Sequence, residues 1–222
     1  MPLVAKASDG KPFTPAPEGL HPALCWAVVD LGIQEKGGMY PGEQHQVYLG
    51  FDLLDTSIEF EKDGKAQTGP MRVGVTLTLS LGEKAKLRKW LERWRGKEFT
   101  ADELKGFDIS KLVGLPCNVL VTHTTKGEKT HANVESILKW TPGVAHPAPA
   151  KETLYFSLED HTLEQVRKHI PEWLQERIEK RLADNWEQFN EKRRGPVAPD
   201  VNTDVDRTAP YHDPNFDDSI PF

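Results

Sequence analysis

The chain has 222 residues, of which 37% are hydrophobic and 28% charged, with a formal net charge of −6. That length suits one or two domains, and the apolar share together with 17 glycines supports a packed core, excluding a collagen, a coiled-coil rod and a wholly disordered chain. The longest apolar run, Ala23 to Ile33, is broken by Asp30 and falls short of the ~20 residues of a membrane span. Residues 1–10 lack the features of a signal peptide. Cys25 and Cys117 are too few and too far apart for a disulfide framework or a CxxC knuckle, so a reducing, cytosolic compartment is expected.

Residues 1–20 hold Pro2, Pro12, Pro15 and Pro17 and read as an irregular lead-in. From 21 to 140 the pattern is that of strands around one helix. Leu24 to Ile33 is β-rich, with Cys25, Ala27, Val29 and Leu31 in one row and Trp26, Val28 and Asp30 in the other. Val47, Leu49, Phe51 and Leu53 alternate with polar or small residues, as do Met71, Val73, Val75, Leu77 and Leu79, which predicts two half-buried strands. Ser80 with Glu83 matches a capping box. Leu87, Trp90, Leu91 and Trp94 then keep helical spacing up to Gly96. Residues 117–124 and 131–139 are strand-like, joined by a turn at Gly127 and Glu128. That turn sets Thr124 opposite His131 and His123 opposite Ala132, and puts Val119, Val121, Val134 and Leu138 on the core face.

Three strands, a helix and a hairpin match the order of an OB-fold, a five-stranded Greek-key barrel with its helix between strands 3 and 4. The expected fold is therefore mainly β with helices. A Pro/Ala-rich linker is expected over 141–160. A helical extension is expected over 161–193, where Leu163, Val166, Ile170, Leu174, Ile178, Leu182 and Trp186 form a stripe. This stripe suits either an oligomer or partner interface, or docking onto the chain's own barrel. Residues 194–222 read as a disordered acidic tail. Residues 1–140 carry 18 basic and 18 acidic residues, whereas 195–222 carry one and six.

The last six residues, Asp217-Asp218-Ser219-Ile220-Pro221-Phe222, have the chemistry of a docking peptide. The aspartates steer toward a basic surface. Pro221 lowers the cost of ordering, and Ile220 and Phe222 can fill an apolar pocket. This ending resembles the acidic tip of bacterial single-stranded-DNA-binding proteins, Asp-Asp-Asp-Ile-Pro-Phe, with Ser219 in place of the third aspartate. The body resembles phage-encoded single-stranded-DNA-binding proteins at 28–34 (VVDLGIQ), 47–53 (VYLGFDL), 76–95 (TLTLSLGEKAKLRKWLERWR), 97–109 (KEFTADELKGFDI) and 171–178 (PEWLQERI). The resemblance implies sequence-independent binding of single-stranded DNA during phage replication or recombination, in the host cytoplasm. It also implies recruitment of replication and repair proteins through Asp217, Asp218, Ile220, Pro221 and Phe222. The alternative is a protein-interaction module that mimics the bacterial tip to divert host factors without binding DNA.

Binding a single strand needs aromatic platforms for bases and cations for phosphates. An OB-fold usually supplies them from the face of strands 2–3 and from the loops between strands 1–2 and 4–5. The candidates on the outward rows are Trp26, Tyr48 and Arg72. The first loop offers Lys36 and Tyr40. The loop between strands 2 and 3 offers Phe60, Lys62 and Lys65, and the last hairpin offers Lys126, Lys129 and His131. Trp26 serves equally well as a packing residue under the helix or the lead-in. The basic run from Lys84 to Lys97 offers a phosphate track but reads rather as the solvated face of the helix, which caps the barrel away from the usual groove, with a resting place for the acidic tail as a third use. No GxxxxGK[ST], GxSxG, HExxH or CxxC motif is present, so neither an enzyme nor a cofactor or metal is expected, and the two cysteines read as buried thiols.

Overall fold

The computed structural model describes residues 14–36, 42–62, 65–127, 129–141, 143–145, 147, 152–162, 164 and 167–182. Its strands are β1 (Gly19–Glu35), β2 (Glu43–Lys62), β3 (Lys65–Thr78), β4 (Pro116–Lys126), β5 (Lys129–Leu138) and β6 (Leu154–Phe156). The helices are α1 (Lys86–Arg95) and α2 (Glu172–Leu182), with short 3-10 turns at Glu103–Lys105 and Ile109–Leu112. Strands β1 to β5 form one antiparallel sheet in the order β3-β2-β1-β4-β5, and β6 adds to β1 in parallel. The sheet curls into a half-barrel that brings β3 near β5, and α1 packs against both.

The concave side holds the larger core. Val47, Leu49, Phe51 and Leu53 of β2 and Met71, Val73 and Leu77 of β3 are buried there, as their alternation predicts. Leu87, Trp90, Leu91 and Trp94 of α1 close that core. The Trp94 ring meets Phe51 edge-on at 5.9 Å, and its indole N–H donates to the Pro116 carbonyl at 2.9 Å. The helix stops at Gly96, whose φ of 70° is left-handed and whose N–H donates to the Glu92 carbonyl. Its start departs from the capping-box expectation. Ala85 is the N-cap, and the Ser80 hydroxyl instead accepts the Gly82 N–H. Arg95, buried in this region, pairs with Glu103 and lies over Phe99 and Phe107.

Bulges in β1 and β5 correct the predicted parity. In β1, Cys25 pairs with Phe51 but Ala27 pairs with Gly50, so Trp26 is an inserted residue. Cys25 and Val28 therefore face the larger core, while Trp26, Ala27, Val29 and Leu31 face the outside of the barrel. In β5, Leu120 opposes Ser136 but Val121 opposes Val134, so Glu135 is the extra residue and Ile137 rather than Leu138 is fully buried. The hairpin itself has the expected register, with Thr124 opposite His131 and His123 opposite Ala132.

The outer side of β1 and β2 carries a second core. Trp26, Ala27, Val29, Leu31 and Tyr48 are roofed by Leu154 and Phe156 of β6 and by Ile170, Leu174 and Ile178 on and before α2. Burying such an aliphatic side chain is worth about 1.5–3 kcal/mol. The three from the C-terminal segment thus make a structural layer. The expected linker over 141–160 accordingly contains a strand of the sheet, because Leu154 and Phe156 alternate inward. Of the two uses open to the helical stripe, docking onto the chain's own barrel is what Ile170, Leu174 and Ile178 do. Leu163, Val166 and Trp186 lie outside the described residues.

Candidate nucleic-acid interface

The outer face of β1–β3 is floored by glycine. Gly50 of β2 pairs with Gly74 of β3, and flanking pairs are Tyr48 with Thr76 and Asp52 with Arg72. A Cβ on Gly50 would stand 2.7 Å from Trp26 Nε1, and one on Gly74 would run into the Tyr48 phenol. Both rings therefore lie down across the glycines. The bulge at Trp26 helps this by turning that side chain onto the outer face.

This packing corrects the roles expected of two residues. Trp26 is 5% exposed and Tyr48 is 7% exposed, so with α2 in place neither ring offers an open plane to a base. Burial pushes the Tyr48 phenol up to about 12, partly offset by Arg72. Among the described residues the Trp26 indole N–H has no hydrogen-bond partner. Arg72 covers Trp26, with its guanidinium carbon 4.0 Å from the ring centroid. Its Nε donates to Asp52 at 2.9 Å, and its side chain is 43% exposed. Burial raises the pKa of Asp52 above the usual carboxylate range despite that cation.

Helix α2 adds two groups that the sequence reading did not select. Trp173, 48% exposed, stands edge-on to Tyr48 with ring centroids 5.2 Å apart. Arg177 donates from Nη1 to Thr76 Oγ1 at 3.0 Å and from Nη2 to Gln46 Oε1 at 2.8 Å. The Arg177 carbonyl accepts from Gln34 Nε2 at 3.1 Å. Partial burial lowers its pKa from the ordinary arginine value. The segment 171–178 carried a resemblance, but nothing in its helical period marks Trp173 or Arg177 as lying over the sheet.

The remaining candidates are scattered. Phe60 and Lys65 sit on a paired extension of β2 and β3, not in a loop, with Phe60 opposite Gln67 and Lys62 opposite Lys65. Phe60 is 41% exposed and packs over Gly69. Exposed Leu54 and Ile58 share this extension with the exposed carboxylates Asp55 and Glu59. Lys36 lies just beyond β1, where its N–H donates to the Gly42 carbonyl at 2.6 Å. Lys126 and Lys129 face each other at the tip of the β4–β5 hairpin, with His131 exposed two residues further. Tyr40, the Lys62 side chain and Asp217, Asp218, Ile220, Pro221 and Phe222 lie outside the described residues.

The face can therefore present one half-exposed indole together with two guanidinium groups, which suits stacking and anion binding. Cys25 and Cys117 are fully buried and burial pushes both thiols up, leaving them protonated and unsuited to nucleophilic chemistry. Among the described residues no cluster of His, Cys, Asp and Glu could hold a metal ion, and no helix is long and apolar enough to cross a membrane. No protein-family model matches the chain, and a search of curated proteins finds no match.

Proposed function

We propose that this chain binds single-stranded DNA with little sequence preference on the outer face of β1–β3, as a phage-type protein that coats DNA exposed in replication or recombination. Partner proteins would be recruited through residues 217–222. The sheet order β3-β2-β1-β4-β5, with α1 between β3 and β4, is consistent with an OB-like barrel, whose ligands favour the β2–β3 face. The observation that carries the reading is the grouping on that face of Arg72, Trp173 and Arg177, cations and a π-surface together. Single strands are held without sequence reading by this combination, because every base has a π-face and every phosphate a charge.

A second reading draws on a different observation. The β2–β3 extension exposes Leu54, Ile58 and Phe60 among carboxylates, and residues 1–140 carry equal numbers of acidic and basic residues. Such a surface suits a protein partner better than a phosphate backbone. Fluorescence anisotropy with a labelled thymidine oligonucleotide, single-stranded against duplex, separates the two. Saturable binding that prefers the single strand supports DNA coating. Binding of a partner through the tip with no oligonucleotide affinity selects the interaction module.

A further inference from the structure

The DNA-binding reading leaves a problem, since the two aromatics of the sheet face are buried. The structure assigns their task to α2: we infer that Trp173 is the base-stacking platform and Arg177 a phosphate contact, so that the single-strand site is a composite of the sheet and the C-terminal helix. The inference rests on the single-stranded-DNA reading and specifies which residues carry it.

Three observations converge. Trp173 and Arg177 are one turn apart on α2 and therefore share a face. That face meets β2 and β3, through Tyr48 for Trp173 and through Gln46 and Thr76 for Arg177. Trp173 is nonetheless 48% exposed, so its T-shaped contact with Tyr48 leaves about half of the side chain accessible.

The second observation concerns charge. Arg72 and Arg95 each pair with a carboxylate, Asp52 and Glu103. Arg177 is held only by a hydroxyl and an amide oxygen, and among the described residues it has no acidic partner. A half-buried guanidinium without a counter-ion is costly unless an anion completes it. Neutral acceptors fix its orientation without neutralising it, which leaves its charge for a ligand.

The third is the layout along β3. Thr76, under Arg177, and Arg72 are four residues apart on one strand face, about 13 Å at strand rise. The Gly50–Gly74 pair lies between them, with the Tyr48 ring over it and Trp173 standing against Tyr48. Two cations and an indole are thus grouped along a glycine-floored track. Phosphate on the cations and a base on the indole is the pattern a single strand supplies.

The test uses the full chain and a fluorescein-labelled thymidine oligonucleotide, titrated at several salt concentrations. Trp173→Ala and Trp173→Leu are expected to weaken binding at least fivefold, whereas Trp173→Phe keeps most of the affinity because it keeps a π-face. Arg177→Gln is expected to weaken binding and to reduce the slope of log affinity against log salt by about 0.7, the value for one phosphate contact on a single strand. A purely structural role for Arg177 would not move that slope. The Leu variant preserves apolar cover over Tyr48, so a folding defect in Trp173→Ala leaves the question answerable, and denaturant midpoints report it. Wild-type affinity and slope in Trp173→Leu and Arg177→Gln would overturn this inference and the placement of the site on this face, while leaving DNA binding itself in place. Absence of oligonucleotide binding by the unaltered chain would overturn both.

Discussion

The Tyr48 ring occupies the space above Gly74, so closely that a Cβ on that glycine would meet the phenol oxygen and two ring carbons. The Gly74 backbone needs no unusual conformation; it is the close approach of the ring that requires a residue without a side chain. Gly74→Ala should therefore destabilise the fold by about 1–3 kcal/mol, the usual cost of overpacking. Denaturant unfolding measures it, and a neutral Gly74→Ala would mean that Tyr48 moves off the sheet freely.

The second core predicts that α2 unfolds together with the barrel. Leu174 and Ile178 are fully buried against β1 and β2. Leu174→Ala or Ile178→Ala should cost about 2–5 kcal/mol in global stability. The transition should remain single and cooperative. A helix signal lost well before the barrel's tryptophan signal would show instead that α2 is a detachable element.

Removing Arg72 should cost stability in a pH-dependent way. Asp52 is 5% exposed and Arg72 is its cation, so Arg72→Ala leaves a buried carboxylate unpaired, at about 1–3 kcal/mol. Burial already holds the pKa of Asp52 above its ordinary range, and losing the cation raises it further. The folded state then binds a proton that the unfolded state has released, so stability falls as pH rises through that window. The deficit of Arg72→Ala should be fully present at neutral pH and shrink as acid protonates Asp52. Adding Asp52→Asn should remove most of the pH dependence. A deficit that grows on acidification would contradict the assignment.

How much of this was legible in the sequence depends on whether the strand period ran unbroken. Over Val47–Leu53 of β2 and Met71–Leu77 of β3 it did, and the alternation of Val47, Leu49, Phe51 and Leu53 located one wall of the core. The 3–4 spacing of Leu87, Trp90, Leu91 and Trp94 located the helix that closes it. Where one residue is inserted, as at Trp26 and Glu135, the side chains that follow change face until a further insertion, as at Leu31 in β1, and period alone does not reveal the insertion. The second core was hidden for another reason. Its roof comes from Leu154 and Phe156, beside a Pro/Ala-rich stretch, and from Leu174 and Ile178, more than a hundred residues from β2 in sequence. Trp173 and Arg177 were missed with it. The length of β2 and β3 was also underestimated, since Phe60 and Lys65 read as loop but pair across the extension.

Tail removal gives a prediction whose sign is informative. Residues 195–222 carry six acidic residues and one basic residue and belong to the same chain as the barrel. They should compete with phosphate for its cations at high effective concentration. Deleting Asp217 to Phe222 should leave oligonucleotide affinity unchanged or raise it, most visibly at low salt. Partner recruitment should be lost, with Phe222→Ala alone removing most of it. A clear drop in oligonucleotide affinity on deletion would make the tail part of the nucleic-acid site.

Photocrosslinking bears most directly on the central claim, that a single strand lies along the outer face of β1–β3 beside α2. The full chain would be irradiated with a thymidine oligonucleotide and the modified residues located by mass spectrometry. The account predicts adducts at Trp173 and in peptides spanning Met71–Thr78. Adducts confined to Lys84–Lys97 on and around α1, with none at Trp173 or on β3, would contradict it.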